Sequence, residues 1–405
     1  PIPDGALRPV LRAIGDGGLR VEPSLALARA YATSEPLIPL QVAVLEDGLF
    51  TKADLKGFRS MPPGTRIRAI NGRPATEVLA AMRLLTSGDG TDSTSVDRAI
   101  ERDFALLHRR CFGPERVFDL TVEVEEDVLQ HRIFALTGDE TARTYKPKAP
   151  EFLPWYYESL REGRIGWLTL NTFTAATLQA EGVDVGRFLR GIRNRWNTDV
   201  PDMLVLDLRG ADGPDIRLAE DVFGLVAKMP YRALRGMSIR SGLIPEAEQF
   251  VVPVPELQVS LRGGVGTDPR GMLVLKETDQ RLALRQPSEK PFTGKVYVLV
   301  DGATQQAGAL LAMLAKRSGR AVLVGEAVGS NAVSFCGGRA LEVTLPRSGI
   351  RVNIPLVRFV PEGLATGAQD RGEAPHYHVV QRPWYLANGK DAARRALLLT
   401  LDELR

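Results

Sequence analysis

Three short stretches hold the residues with the most capacity for chemistry. "YVLVDGATQQAG", residues 297–308, sets Gln305 and Gln306 where a strand turns tightly into a helix. Such a turn exposes a side chain and aims the first helical N–H groups at whatever it holds. A carboxamide is not an acyl-transfer nucleophile, since its nitrogen lone pair is delocalised and no ordinary base turns it into a useful anion. It both donates and accepts hydrogen bonds, so the chemistry open to Gln306 is holding rather than attacking. "SFCGG" carries Cys336, whose thiol would need an adjacent base that the sequence does not identify; a buried cysteine is the plainer reading. "APHYHV" carries His376 and His378 at alternate positions, on one face of a strand. Without a third clustered ligand they do not make a metal site, and neither a metal nor another cofactor is expected. His108, after an amphipathic helix, and His131, in strand-rich sequence, read as surface or core groups.

The elements that must position these residues follow from pattern. With 405 residues, 44% hydrophobic and 25% charged, the chain has material for two or three domains. Residues 1–35 read as a helical segment, from "ALRPVLRAIGDGG" and "PSLALARAYA". Residues 36–140 read as a β-rich domain of short strands and turns with one helix, "ATEVLAAMRLL", beginning soon after the Asn71-Gly72 turn. Residues 141–154 are polar and proline-bearing and read as a linker. From 155 to 405 strands such as "GWLTLNTF", "DMLVLDLRG" and "KVYVLVDGAT" alternate with helices. That order predicts the α/β class with a mainly parallel sheet. Residues 231–290 interrupt it and are expected to form a loop or lid excursion.

Charge and composition exclude several function classes. The 52 Lys+Arg against 49 Asp+Glu give a net charge of +3. The basic run "RGIRNRW" at 190–196 reads as a solvated helix face, so nucleic acid is not an expected partner. Cys111 and Cys336 leave open a disulfide, two buried thiols, or no role. No apolar stretch is long enough to span a bilayer.

The segment "GTRIRAINGRPATEVLAAMRLL" resembles the strand, turn and helix of a PDZ-like module, which implies either peptide capture by strand addition or a bracing role. The ordered set "IGDG", "AING", "GWLTLNTF", "LVLDLRG", "YVLVDGATQQAGALLA", "RAVLVGE", "LPRSGI" and "RGEAPHYHV" resembles the tail-specific, or C-terminal-processing, serine peptidases and their tricorn-core relatives. The resemblance implies a helical N-terminal part, a PDZ-like β-rich domain, and an α/β core of the ClpP and crotonase kind. It also places the nucleophilic serine at Gln306, the lysine base of bacterial members at Asn331 in "GEAVGSNAV", and the histidine base of tricorn-like members at Gly18 in "GDGGLRV". The oxyanion N–H groups would belong to Gly213 and Ala307. "DLRGADGPD" keeps Asp207, Arg209 and Gly213 but has Pro214, without an N–H, where glycine is usual. Nucleophile, both bases and part of the glycine turn depart together, which implies a non-catalytic pseudopeptidase. Its former cleft, with Gln305, Gln306, Arg209 and Glu326 as candidate contacts, would hold a peptide or protein partner, and the compartment would be periplasmic or otherwise extracytoplasmic. The alternatives are a processing serine endopeptidase whose nucleophile has been substituted, and binding of a small apolar ligand by the same core.

Overall fold

The computed structural model describes residues 13–403 except 46–47, 56–60, 92, 125–126, 145–152, 240–264, 270–271 and 364–369. The predicted linker therefore lies mostly outside the described residues, as do the first twelve residues of the predicted helical segment. Within that segment α1 (Leu25–Thr33) is a helix capped by the Ser24 hydroxyl, whereas Arg20–Glu22 is a strand, β1. The backbone of β1 is claimed by a distant strand, β17 (Arg351–Pro361), with which it pairs antiparallel.

The β-rich domain is a five-strand path, β2 (Leu40–Leu45), β3 (Gly48–Asp54), β4 (Arg66–Ile70), β6 (Val117–Val124) and β7 (Asp127–Phe134), with the short β5 (Arg73–Pro74) on β4. Helices α2 (Ala75–Leu84) and α3 (Thr94–Phe112) cover it. Val96, Ile100, Phe104 and Leu107 recur at helical spacing on α3 and are buried against Ile67, Leu120 and Val122 of the strands. Gly113, with φ 88°, ends α3 in a conformation that favours glycine. His108 lies inside this helix rather than after it, because the apolar repeat continues to Phe112. A short helix, α4 (Gly138–Thr144), follows β7.

The second domain is built on the predicted parallel sheet. Its order is β18 (Tyr377–His378), β15 (Val322–Gly325), β14 (Lys295–Val300), β10 (Met203–Asp207), β9 (Ile165–Leu170) and β8 (Trp155–Leu160), with β8 alone antiparallel. Alternate residues feed two layers. Leu204, Leu206, Val296 and Val298 pack with α8 (Gln306–Arg317), while Met203, Val205 and Leu299 pack with Ala393 and Leu397 of α10 (Ala392–Glu403). From Ala307 to Ala315 every residue of α8 is buried, as an apolar helix between layers requires. The remaining helices, α5 (Ala175–Ala180), α6 (Val185–Asp199), α7 (Ile216–Gly224) and α9 (Pro383–Ala387), complete the cover, and "RGIRNRW" lies on α6.

The expectation of a loop excursion at 231–290 is corrected. β11 (Leu234–Ile239) is an interior strand of a third sheet, β1-β17-β11-β13-β12, in which β12 is Val265–Thr267, β13 is Leu273–Leu275, and β16 (Phe335–Thr344) also pairs with β17. Leu234, Met237 and Ile239 are buried in the main core, so packing rather than loop character fixes this part of the span.

Candidate functional site

Strand β14 ends at Val300, and the turn Asp301–Gln305 delivers the chain into α8. The turn is held internally: the Asp301 carboxylate accepts from the N–H of Gly210 and Ala303, and the Thr304 hydroxyl donates to the Leu208 carbonyl. Thr94, at the start of α3, lies so close to Gly302 that a Cβ there would strike its backbone. Gln306 then adopts φ 47°, the left-handed region that non-glycine residues rarely occupy. Such strain persists only where surrounding structure enforces it, and it gathers at positions that present a side chain for function.

Both the backbone and the side chain of Gln306 meet neighbouring segments. The Gln306 N–H donates to the Ser330 hydroxyl at 2.8 Å. Its side chain lies on Gly337 of β16, where an added Cβ would come within 2.9 Å of Oε1. Oε1 itself is buried and has no hydrogen-bond partner. Gln305 caps nothing with its side chain, and its stem packs against Gly329.

The two residues expected to supply oxyanion N–H groups, Gly213 and Ala307, lie together, and both N–H groups have partners within the chain. Gly213 N–H donates to the carboxylate of its own neighbour Asp212 at 2.7 Å, and Ala307 N–H donates to the Gly213 carbonyl at 3.2 Å. Gly213 has φ 145° and faces the backbone of Phe173, so no other residue fits there. Asp212 is fixed in turn by Arg20 at 2.6 Å. Neither N–H points at an open position for a tetrahedral oxyanion.

The positions of the two expected bases converge on the same place. A Cβ on Gly18 would meet the carbonyl of Cys336, the residue before Gly337. The Asn331 N–H donates to Asp89 Oδ2 at 3.2 Å, and Asp89 Oδ1 accepts from Gly17 N–H at 2.5 Å, so Asp89 bridges the two segments. The side chain of Asn331 is spent locally, on Asp370 and on the Val333 N–H. Burial pushes the Asp89 carboxyl up to about 6, against the hydrogen bonds from Gly17 and Asn331. Burial, with Asp16 and Asp89 adding to it, pushes the Cys336 thiol up to about 12, so it is protonated at neutral pH and is no nucleophile. Neither Cys111 nor Cys336 is in a disulfide.

The other candidates lie elsewhere. Arg209 is clamped by Asp207 through two hydrogen bonds of 2.9 and 2.6 Å and by Asp391 at 2.6 Å. With Glu326 it lines a cavity on the β2 side of the molecule that Gln306 does not reach. His108 is enclosed by Phe104, Phe112 and Phe118, and burial pulls it down to about 4. His376 accepts from the Leu323 N–H through Nδ1, at the edge of the parallel sheet. Among the described residues no cluster of three His, Cys, Asp or Glu could hold a metal, and no helix is long and apolar enough to cross a membrane. Sequence reasoning missed Ser330, Asp16 and Asp89. Ser330 and Asp16 adjoin Asn331 and Gly17 in the motifs, whereas Asp89 carries no local signal.

These features, a strained strand-to-helix seat over a parallel sheet with a PDZ-like domain in front, define a peptidase scaffold. The chain belongs to peptidase family S41, whose sequence pattern matches residues 164–379. Among solved structures, mature CPAF complexed with lactacystin is similar at 14% identity and a TM-score of 0.67, covering 99% of this chain and 87% of that one. Mature CPAF alone is similar at 14% identity and a TM-score of 0.65, covering 95% and 84%. The photosystem II D1 C-terminal processing protease matches at 14% identity and a TM-score of 0.40, covering 93% and 81%. At 14% identity the likeness to the two CPAF structures shows the fold alone, a mixed α/β core preceded by a β-rich domain. A search of curated proteins gave no match.

Proposed function

We propose that the chain is a non-catalytic member of peptidase family S41 that holds a peptide or protein partner in its former cleft. The observation that carries this reading is Gln306: a residue that cannot attack occupies the strained seat, with both neighbouring oxyanion donors already paired. Its buried, unpartnered Oε1 favours an arriving N–H, since an unsatisfied acceptor costs about 1–3 kcal/mol. A main-chain amide of an extended peptide supplies such a donor. An extracytoplasmic, periplasmic setting belongs to the same proposal and rests on the resemblance alone.

The test is turnover of fluorescein-labelled casein by the natural chain and by Gln306→Ser. Neither is expected to exceed the buffer blank, because the variant still lacks a base and an open oxyanion site. Robust cleavage by Gln306→Ser would sink the reading in favour of an endopeptidase disabled at one position.

A further inference from the structure

The Gln306 turn lies at one end of the parallel sheet, and the opposite end has a distinct character. In register, Met203 of β10 lies beside Ile165 of β9 and Lys295 of β14, and Val322 of β15 lies beside Tyr297, so these strands begin together at the end away from that turn. Arg320 stitches the entering segments, donating to the carbonyls of Val226, Phe292 and Gly294 at 2.5, 2.7 and 2.9 Å. Two adjoining hollows open there and share Asp202, Thr293 and Gly294. Arg190 and Arg193 of α6 and Lys290 line the first; Arg164, Lys228, Lys295 and Arg320 line the second. Against these seven cations the linings hold two carboxylates, Asp202 and Glu289, a net +5 with His376 neutral, where the whole chain holds +3. Among the described residues only Arg164 of the seven is ion-paired, to Asp202 at 2.9 Å. Glu162 and Asp199 nearby are matched by Arg161 and Arg195 and leave the balance as it is.

Two apolar side chains stand out from this basic surface. Val200, between α6 and β10, and Met229, next to Lys228, are 71% and 72% exposed, more than any other large apolar residue among those described. Val200 also has φ 42°, an outlier for a β-branched residue, and it precedes Pro201, which pushes the residue before it towards extended backbone. Glycine would adopt that conformation without strain and expose nothing apolar. Folding therefore gives no reason for valine here, whereas a partner that takes up an apolar tip does.

We infer that this end of the sheet docks on an anionic lipid bilayer, with Val200 and Met229 entering the headgroup region and the unpaired cations around them facing lipid phosphates. Charge and apolarity together name the partner. Six unpaired cations select an anionic surface, and exposed apolar tips select one with hydrocarbon beneath it over nucleic acid, which offers phosphate alone. Each cation held near such a surface strengthens binding about fivefold, and salt weakens the attraction. Docking at this end turns the Gln306 turn away from the membrane, so the inference goes beyond the reading of that cleft and does not depend on it.

The test is co-sedimentation of the full chain with vesicles of equal parts phosphatidylglycerol and phosphatidylcholine, and with vesicles of phosphatidylcholine alone, in low and high salt. Binding is expected to the anionic vesicles in low salt, weaker in high salt, and not to the neutral ones. Val200→Gly/Met229→Ser is expected to bind at least about tenfold more weakly, with a urea midpoint no lower than that of wild type. Lys228→Glu/Lys295→Glu should bind about 25-fold more weakly or worse. Lys52→Glu/Lys390→Glu makes the same charge change beside Arg209, at the other end of the sheet, and should stay within about threefold of wild type. Equal losses from the two charge-reversed pairs would show an effect of net charge alone and overturn the inference. Undiminished binding by Val200→Gly/Met229→Ser, or equal binding to neutral vesicles, also overturns it. So does a DNA duplex that displaces the vesicles and binds that apolar variant as tightly as wild type, which would make the surface a nucleic-acid site.

Discussion

At the Gln306 turn and at the β2 edge this chain pairs backbone groups that lie outside the helix and sheet ladders, and it does so by opposite means. At the seat the closing partners are local: Asp212 caps the N–H of the residue after it, and Gly213 takes the Ala307 N–H on its own carbonyl. At the edge they are the ends of two long side chains on another element, Arg98 and Glu101 of α3. The Gly213 carbonyl can leave the Ala307 N–H only if the backbone bends, whereas a long side chain leaves by changing rotamer and re-entering water. The difference teaches that one chain can pair exposed backbone groups either through neighbouring backbone or through long side chains of another element.

The largest test of that contrast is Gly213→Ala. The φ of 145° and the Phe173 backbone facing the position leave no room for a Cβ, so the turn must deform to admit it. A loss of about 3 kcal/mol or more is expected in urea unfolding, or failure to fold. Substituting half-buried Leu45 of β2 by Ile, a volume-conserving change, should cost less than about 1.5 kcal/mol. Comparable losses at the two sites would show that the seat is no more rigid than the edge.

Next in size is a pH effect that both regions share. Asp89 beside the seat and Glu101 at the edge are buried carboxyls raised to about 6 and about 7 from ordinary values of 3.8 and 4.5. A carboxyl raised on folding stabilises the fold fully below its unfolded value, and that contribution is lost as pH rises through the folded one. Each group should therefore cost about 3 kcal/mol by the time the pH passes its folded value. Chemical unfolding from pH 4 to pH 8 should show declining stability from these groups, with Asp89→Asn and Glu101→Gln each flattening the curve. A curve unchanged by either substitution would refute the assignment.

The sequence carried the fold unevenly, for physical reasons. Apolar runs such as "MLVLD" and "KVYVLV" announced β10 and β14 because a strand buried on both faces has little choice of residue. β11 escaped notice because its partners, β17 and β13, lie far away or behind an interruption in the pattern, and pairing is not written in local sequence. At the site, Gln306, Gly18 and Asn331 could be matched to motif positions, and the structure does gather those segments around Cys336, Gly337 and Asp89. Arg209 and Glu326, chosen by nearness to the same motifs, face the other cavity, because a strand end can serve either side of its turn. The pairing of the oxyanion donors was illegible: nothing in "GADGPD" says that Asp212 turns back on the next N–H.

The smallest effect decides how local the seat's closure is. Arg20 and Asp212 pair at 2.6 Å with 44% and 27% of their side chains exposed, so removing Arg20 should cost less than about 1 kcal/mol. Asp212→Ala should also cost only about 1 kcal/mol in global unfolding. The two variants separate in amide exchange. Asp212→Ala strips the cap and should speed exchange at Gly213, whereas Arg20→Ala should leave that rate as it was, since Asp212 Oδ1 accepts from Gly213 while Arg20 binds Oδ2. If Arg20→Ala opens Gly213 as fully as Asp212→Ala does, the seat too depends on a remote side chain, as the Val44 backbone does on Arg98 and Glu101.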